Sequence, residues 1–486
     1  MLKEKCFFTG EKMSSLFEME PENILKLPAK DRALDLAIIH ITFEGIQILG
    51  GGVCTVTRGH LEALKSLQRR LKDFNVKITP YFAEIGYEED HPRRDKKYEA
   101  YAVESVKKMG GDVAYLANYS WGEQPHTAWG EEDLGPVDKW KAACASAATV
   151  ALNYARQHQA AVIYCHDCVF ALAALYASLQ ANAFGADIRA IYVAHSTALT
   201  HELPLPNPDR LMAECVTIQW GKINPVVKIG YISEFIRGHL VQDYSARLSD
   251  TVPTGNGLNP ADRYFRLRTR EEIIQKLKQY HIPLDKKLLF SWGRAVAYKR
   301  FDMVIKVGSE LRDELHTVVV VAPASEDLKK LQQELNLNMS LIFTFDAELA
   351  ACLLQWENTI VTPILAYLEP CGLTPMEIRM HARKSGPILV TSDTGGLPEQ
   401  VEDGLDGFIT KQDDVGDVVS TIRKILGFSE QERQNIRANG QKKILGQYTW
   451  TSQILKTLAS VSPHISLVKD GVLKEIVKED SEALSL

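Results

Sequence analysis

Short apolar runs alternate with amphipathic segments along most of the chain. The runs at 34–42, 161–165 and 226–233 are rich in aliphatic residues, as expected of strands buried on both faces of a sheet. Similar runs follow at 288–292, 318–321, 341–345 and 388–391. Between them, segments such as 60–71 and 138–157 place apolar residues three and four positions apart, which predicts helices. Strands that alternate with helices predict an α/β protein built on parallel sheets.

The chain is too long for one ordinary core. Its 486 residues favour two domains, and we place them at 1–265 and 266–446. The remaining segment, 447–486, begins with an apolar helical pattern at 449–461 that is expected to cross back to the first domain. It ends in a charged stretch that is expected to be loose. Residues 1–33 are predicted to form an arm on the first domain.

The composition excludes several classes of function. A hydrophobic fraction of 45% and a charged fraction of 24% are typical of a globular protein. The net charge of −6 argues against nucleic-acid binding, which needs a basic surface. No apolar run approaches the roughly 20 residues of a membrane span, and the amino terminus lacks a signal-peptide core, so we expect a cytoplasmic protein. Cys165 and Cys168 form a single CxxC pair, which is a weak zinc signal, and we expect free buried thiols.

The segment 367–396 holds the densest candidate chemistry. Glu369 and Glu377 lie on either side of Gly372, and Thr374-Pro375 has the character of a helix start. Thr374 is predicted to be the N-cap, and the helix is expected to run to about residue 384. Its amino-terminal N–H groups could hold an anion, and Gly372 would allow a phosphate or sugar close to the backbone. Alternatively, Glu377 only closes a capping box with Thr374.

Other strand ends carry further candidates. Thr394, Gly395 and Gly396 form a second turn of small residues after the run at 388–391. Gly51 and Gly52 separate the first strand from the first helix, although a glycine loop alone could be only a tight crossover. Polar or glycine-rich turns at the carboxyl ends of parallel strands are where ligands bind in open α/β folds.

Charged and polar residues also follow predicted strands directly. His166 ends the strand 161–165, where a structural histidine is the alternative interpretation, and His195 ends another apolar run. Arg294 and Lys299 follow the strand 288–292, five positions apart. Arginine offers a planar fork and lysine a point charge, so both could bind one diphosphate.

The string EPCGLTPME at 369–377, followed by the TGG turn, resembles the signature of retaining glycosyltransferases of the glycogen and starch synthase type. The resemblance implies the GT-B fold, in which two Rossmann-like domains face a cleft and a C-terminal helix crosses back. It implies transfer of a hexose, with glucose favoured, from ADP- or UDP-glucose to a glycan or other hydroxyl acceptor. It implies no cofactor and no metal.

The same resemblance implies roles for individual residues. Arg294 and Lys299 would stabilise the leaving diphosphate, Glu369 would hold the sugar hydroxyls, and His166 would orient the sugar. The remaining donor-binding positions would be Gly51, Gly52, Gly372, Leu373, Glu377, Thr394, Gly395 and Gly396. Two positions depart from the family, because Leu49 stands where the synthases have a lysine and Cys168 replaces an aromatic residue after the His-Asp pair.

The sequence indicates least about the part of the protein that would bind the acceptor. Residues 84–140 are polar and aromatic and do not match the synthases. Trp121, His126 and Trp129 could stack on a sugar acceptor or could pack a loop onto its own domain. A sugar-nucleotide epimerase, a phosphorylase with a lysine-bound pyridoxal phosphate and an inactive glycan-binding relative remain alternatives. The nucleotide, the acceptor and the oligomeric state stay open.

Overall fold

A computed structural model describes residues 33–116, 137–201, 207–344 and 346–483. These residues form a seven-stranded and a six-stranded sheet, and every strand pair is parallel. The strands of the first sheet are β1 Leu34–Thr42, β2 Val76–Ile85, β3 Asp112–Leu116, β4 Ala160–His166, β5 Ile188–Ala194, β6 Val227–Tyr231 and β7 Thr251–Pro253. Those of the second are β8 Leu288–Arg294, β9 His316–Ala322, β10 Ser340–Phe343, β11 Thr359–Ile364, β12 Ile388–Ser392 and β13 Phe408–Thr410.

Helices cover both sheets. Those associated with the first sheet are α1 Gly52–Lys72, α2 Lys96–Lys108, α3 Val137–Ala155, α4 Ala171–Phe184, α5 Ala198–His201, α6 Pro208–Ile223 and α7 Glu234–Gln242. Those that follow in the second half are α8 Arg270–Gln279, α9 Phe301–Glu310, α10 Glu326–Glu334, α11 Ala347–Gln355, α12 Thr374–His381, α13 Leu397–Gln400, α14 Val415–Leu426 and α15 Glu430–Gln447. The chain continues with α16 Trp450–Val461 and α17 Pro463–Ala483. The α/β prediction is confirmed.

Strand order creates one switch point in each sheet. The orders are β3-β2-β1-β4-β5-β6-β7 and β10-β9-β8-β11-β12-β13. In the first sheet, successive strands extend one way from β1 to β3 and the other way from β4 to β7. In the second sheet, they extend one way from β8 to β10 and the other way from β11 to β13. Loops leave such a point on opposite faces, and the crevice between them is the usual ligand site of an open α/β sheet.

Helix α16 returns to the first domain, as predicted. The Leu258 and Trp450 backbones pair across the connection, and Thr457 Oγ1 donates to the Pro253 carbonyl at 2.6 Å. The tail prediction was wrong for residues 463–483, because α17 packs on the first domain. Ile465, Val472 and Ile476 are fully buried at spacings of seven and four residues. Those apolar positions give one helical stripe that the surrounding charged residues obscured.

Several sequence predictions can be compared with the described residues. The predicted strands at 34–42, 161–165, 288–292 and 388–391 all occur, most of them slightly longer. The predicted arm at 1–33 and the aromatic residues at 121, 126 and 129 lie outside the described range. The domain boundary at 265/266 falls between the two sheets and stays a prediction. No helix among the described residues is both long and apolar enough to cross a membrane.

Candidate active site

The centre of the site is an ion pair between Lys299 and Glu369. Lys299 lies in a short 3-10 turn after β8, and Glu369 lies in the loop after β11. Because β8 and β11 are neighbours at the switch point, their carboxyl ends bring the two side chains together. The Tyr367 amide also donates to the Tyr298 carbonyl at 2.7 Å, which fixes one loop against the other. The pairing of two residues 70 positions apart therefore follows from the sheet order.

Lys299 keeps its charge in this setting. Burial lowers the pKa of Lys299, but the Glu369 carboxylate and Tyr298 oppose this effect, so the pKa is raised above its ordinary value. A charged ammonium in a largely desolvated place interacts strongly with an anion, because little water screens it. Lys299 is thus suited to hold developing negative charge.

Arg294 stands at the rim of the same site. It is the last residue of β8, its side chain is exposed, and its Nη2 atom donates to the Tyr298 hydroxyl at 2.9 Å. The guanidinium therefore lies beside the Lys299 turn and faces solvent. Its position is compatible with the predicted role in binding a diphosphate, which stays a prediction.

Glu377 does not cap its helix. Helix α12 has Leu373 as its N-cap, and no side chain accepts a hydrogen bond there, so the predicted N-cap Thr374 and its capping box were wrong. The helix also ends at His381, earlier than predicted. The physical reason is that Thr374 already lies in the first turn, inside the helix. Burial raises the pKa of Glu377 to about 7, and the charge of Lys299 opposes that rise.

Two small-residue turns hold the Glu369 loop in place. Gly395 has φ +59°, and a Cβ there would lie 2.3 Å from the Glu369 carbonyl oxygen. The Gly396 amide donates to that carbonyl at 2.9 Å, and Thr394 Oγ1 donates to the Tyr367 carbonyl at 2.7 Å. A Cβ on Gly372 would come within 3.1 Å of the Glu369 side chain. In this structure the Gly396 amide supports Glu369 and is not directed at a ligand.

The glycine loop of the first domain holds a carboxylate of its own chain. Glu44 follows β1, is buried, and accepts from the Gly51 amide at 2.9 Å and the Cys54 amide at 2.9 Å. A Cβ on Gly50 would overlap the Glu44 carboxylate. The Gly51 amide, predicted to bind donor phosphate, is therefore occupied by Glu44 in this structure. Gly52, the first residue of α1, has open space where a Cβ would be.

His166 cannot reach a ligand directly. Its side chain is fully buried at the end of β4, and both ring nitrogens are occupied. Nε2 lies 3.0 Å from His40 Nδ1, and Nδ1 lies 3.0 Å from His195 Nε2. His195 is only partly buried, so it is the member of this row nearer the surface. A direct contact between His166 and a sugar would require a rearrangement.

The two domains meet around the Glu369 loop. Ser233 Oγ donates to the Pro370 carbonyl at 2.6 Å, and Asn256 Nδ2 donates to the Cys371 carbonyl at 3.0 Å. Leu373 packs against the apolar core of the first domain, together with Met376. The predicted donor residue Leu373 therefore helps to join the domains. The loop that carries Glu369 is positioned by both halves of the molecule.

Comparison with known proteins agrees with this geometry. Residues 272–443 match the family model described as "Glycosyl transferases group 1". This part of the chain is thus similar to group 1 glycosyltransferases. The matched range contains Arg294, Lys299, Glu369 and Glu377 as well as the TGG turn.

Curated relatives resemble part of the chain. Granule-bound starch synthase 1 of Pisum sativum is 25% identical over 230 residues, which cover 40% of this chain and 37% of the synthase. D-inositol 3-phosphate glycosyltransferase of Mycolicibacterium smegmatis is 23% identical over 193 residues, covering 38% and 42%. The chain thus spans about two fifths of the length of these relatives. The resemblance to the starch synthases proposed from the EPCGLT string is confirmed.

Solved structures show the same fold over nearly the whole chain. Sucrose-phosphate synthase from Thermosynechococcus elongatus has a TM-score of 0.62 at 15% identity and covers 91% of this chain and 100% of its own. Anabaena HepE, in complex with UDP and glucose, has a TM-score of 0.57 at 15% identity and covers 87% and 99%. Together with the two parallel sheets and the crossover helix, these likenesses confirm the GT-B fold.

The structure adds residues that the motifs did not indicate. Glu44 and Tyr298 had no sequence signal beyond their closeness to a candidate turn. His40 and His60 look like ordinary residues of a strand and a helix, and only the fold brings them to His166. Cys165 and Cys168 are free and buried, as predicted.

Proposed function

We propose that the protein is a retaining glycosyltransferase that moves a hexose from a nucleoside diphosphate sugar to a hydroxyl group. The observation that carries the proposal is the cluster of Arg294, Lys299, Glu369 and Glu377 at the β8/β11 switch point, inside the range matched by the family model. Two cations beside two carboxylates suit a donor that has an anionic diphosphate and a hydroxyl-rich sugar.

The chemistry follows from the charges. When the glycosidic bond of the donor breaks, negative charge develops on the departing diphosphate, and a fixed cation in a desolvated site stabilises that charge. Lys299 and the rim guanidinium of Arg294 take this role. Lys299 now pairs with Glu369, so an arriving diphosphate would share the ammonium and leave Glu369 to accept hydrogen bonds from sugar hydroxyls. Glu377, held partly buried next to Lys299, would accept from the nucleotide ribose.

Glucose from UDP- or ADP-glucose is the donor we propose. The likeness of the EPCGLT string to starch and glycogen synthases supports glucose and retention. Solved structures of HepE contain UDP and UDP-glucose, which supports trying the uridine nucleotide first. The acceptors named for the relatives differ, from starch to inositol phosphate. We therefore propose only an acceptor class, a carbohydrate or other small molecule with a hydroxyl group, and we expect the first domain to bind most of it.

A donor screen tests the proposal. The purified protein is incubated with ADP-, UDP- and GDP-glucose, and release of each nucleoside diphosphate is measured with and without a mixture of sugar acceptors. We expect one uridine or adenosine donor to be hydrolysed slowly and to be consumed faster with acceptor. Lys299→Ala, assayed in parallel, is expected to abolish the signal.

Two results would favour a different enzyme class. Conversion of the donor to another nucleotide sugar without acceptor would favour an epimerase. An absorbance band of bound pyridoxal phosphate in the pure protein would favour a phosphorylase. Failure of all three donors to bind or react would contradict the proposed function.

A further inference from the structure

Three histidines from separate elements meet inside the first domain. His40 lies within β1, His166 ends the neighbouring strand β4, and His60 lies in α1, which covers that face of the sheet. All three side chains are buried, with relative exposures of 0%, 4% and 0% for His40, His60 and His166. Each offers a ring nitrogen, and the three nitrogens lie within 4.8 Å of one another.

The hydrogen-bonding capacity of this group is incompletely used. Nε2 of His40 and Nδ1 of His60 are buried and have no hydrogen-bond partner among the described residues. A buried polar atom without a partner destabilises the folded protein. Two such atoms belong to one cluster of three histidines, whose ring nitrogens can bind a metal through their electron pairs, and they therefore point to a ligand in that cluster.

The surroundings resemble the outer shell of a metal site. His166 has its Nδ1 atom 3.0 Å from His195 Nε2, and such a contact to the second ring nitrogen orients a ligating imidazole. Phe82 and Tyr164 stack on either side of His40, with ring centroids 5.0 and 4.7 Å away. Trp450 of the crossover helix meets His60 edge-on at 5.3 Å. The three buried imidazoles are thus packed among other rings, which hold their orientations.

We propose that His40, His60 and His166 bind a divalent transition metal ion of the zinc class. Three imidazoles with a fourth position open to water or another small ligand suit Zn²⁺, Co²⁺ or Ni²⁺, and do not suit Mg²⁺ or Ca²⁺, which prefer oxygen. Zinc–nitrogen bonds of about 2.0–2.1 Å in tetrahedral geometry place ligand nitrogens about 3.3 Å apart. In this structure His166 Nε2 and His40 Nδ1 face each other at 3.0 Å, so metal binding would break this hydrogen bond and turn His166 Nε2 toward the ion, while His195 stays beside Nδ1.

The position of the cluster between three separate elements also fits this proposal. The ion would also join β1, β4 and α1, and through Trp450 it would lie next to the crossover helix. The proposed role of the ion is therefore structural, and it differs from the diphosphate-binding role proposed for Lys299.

Metal binding to the full-length protein tests the proposal. Chelator-treated wild-type protein is titrated with Co²⁺ while visible absorption is recorded, and Zn²⁺ affinity is measured by competition with a chromophoric chelator. We expect one ion per chain and the strong visible bands of tetrahedral cobalt. His60→Gln and His166→Gln should each weaken the affinity at least tenfold, the lower end of the range of about 10–100-fold seen for lost outer-shell partners.

His281→Asn is the matched control. His281 is an exposed histidine of the second half of the chain with φ +54°, a conformation that asparagine tolerates, so this variant should bind metal like the wild type. X-ray absorption on the zinc-loaded wild type, which needs no variant to fold, should show three imidazole ligands. Absence of stoichiometric binding, fewer than three imidazoles, or unchanged affinity in folded His60→Gln and His166→Gln protein would overturn the proposal and leave a hydrogen-bonded histidine row.

Discussion

Replacing Glu377 by Gln should make the free energy of unfolding less dependent on pH. Burial holds the pKa of Glu377 near 7 in the folded protein, against an ordinary value of 4.5, and Lys299 offsets part of that effect. The folded state therefore binds the proton more tightly than the unfolded state. Stability linked to this group is complete below about pH 4.5 and is lost as the pH rises through 7.

The magnitude follows from the two pKa values. Moving a carboxyl pKa from 4.5 to about 7 costs the ionised state about 3 kcal/mol, at 1.36 kcal/mol per pH unit. Because the side chain is only partly buried, this figure is an upper bound. Glutamine is isosteric and never ionises, so Glu377→Gln avoids the cost. The stability difference between variant and wild type should grow between pH 4.5 and 7 and then level off.

Urea unfolding at pH 5, 6, 7 and 8 measures the difference. The unfolding free energy of Glu377→Gln relative to wild type is expected to rise by about 1–3 kcal/mol from pH 5 to pH 8. Glu334→Gln is the control, because Glu334 is an exposed carboxylate of the same domain and its difference should stay flat. A flat difference for Glu377→Gln would refute the inference that this carboxyl is desolvated.

Four further predictions concern the site. Arg294→Ala and Lys299→Ala should each lower turnover about 10²–10³-fold at saturating donor, the range for one lost electrostatic donor, and near-normal turnover in both would remove the diphosphate assignment. Glu369→Gln should lose most of its turnover with a small change in melting temperature; a large loss of stability with normal turnover would make Glu369 structural. Gly395→Ala should destabilise the protein by about 2 kcal/mol or more in thermal or urea unfolding, because φ is +59° and the new Cβ would meet the Glu369 carbonyl, and a neutral result would show that this turn adapts. Adding Mg²⁺ or Mn²⁺ to chelator-treated protein should leave turnover unchanged in a steady-state assay, whereas strict dependence on either ion would contradict a site built on cations.

Much of the second domain could be predicted because its signals are local. The apolar run before Arg294 gives β8, and the run before Thr394 gives β12, so the turns that follow were expected at the carboxyl edge of a sheet. The EPCGLT string added the family. The pairing of Lys299 with Glu369 was not predictable from spacing, since it depends on β8 and β11 being neighbours.

The first domain was harder to predict because its contacts are between distant residues. His40 and His166 are 126 positions apart, and no local pattern marks either as half of a pair. Glu44 precedes a glycine loop that looks ready for phosphate, and only the fold shows that its own carboxylate binds the Gly51 amide. In the second domain, threonine is a residue type typical of an N-cap, but Leu373 holds that position and Thr374 is the first residue of the helix. For His40, His166 and Glu44, contacts made by the fold decided the outcome, and these contacts have no local sequence signal.

The most direct test of the account is the stereochemistry of transfer. Proton NMR of a reaction started with the active nucleotide glucose donor follows the anomeric signal of the first product and the released nucleoside diphosphate together. We predict an α-configured product formed in step with the diphosphate by the wild type, and neither signal with Lys299→Ala. A β-configured first product would contradict the proposed retention of configuration. Undiminished transfer by Lys299→Ala would contradict the proposed role of Lys299.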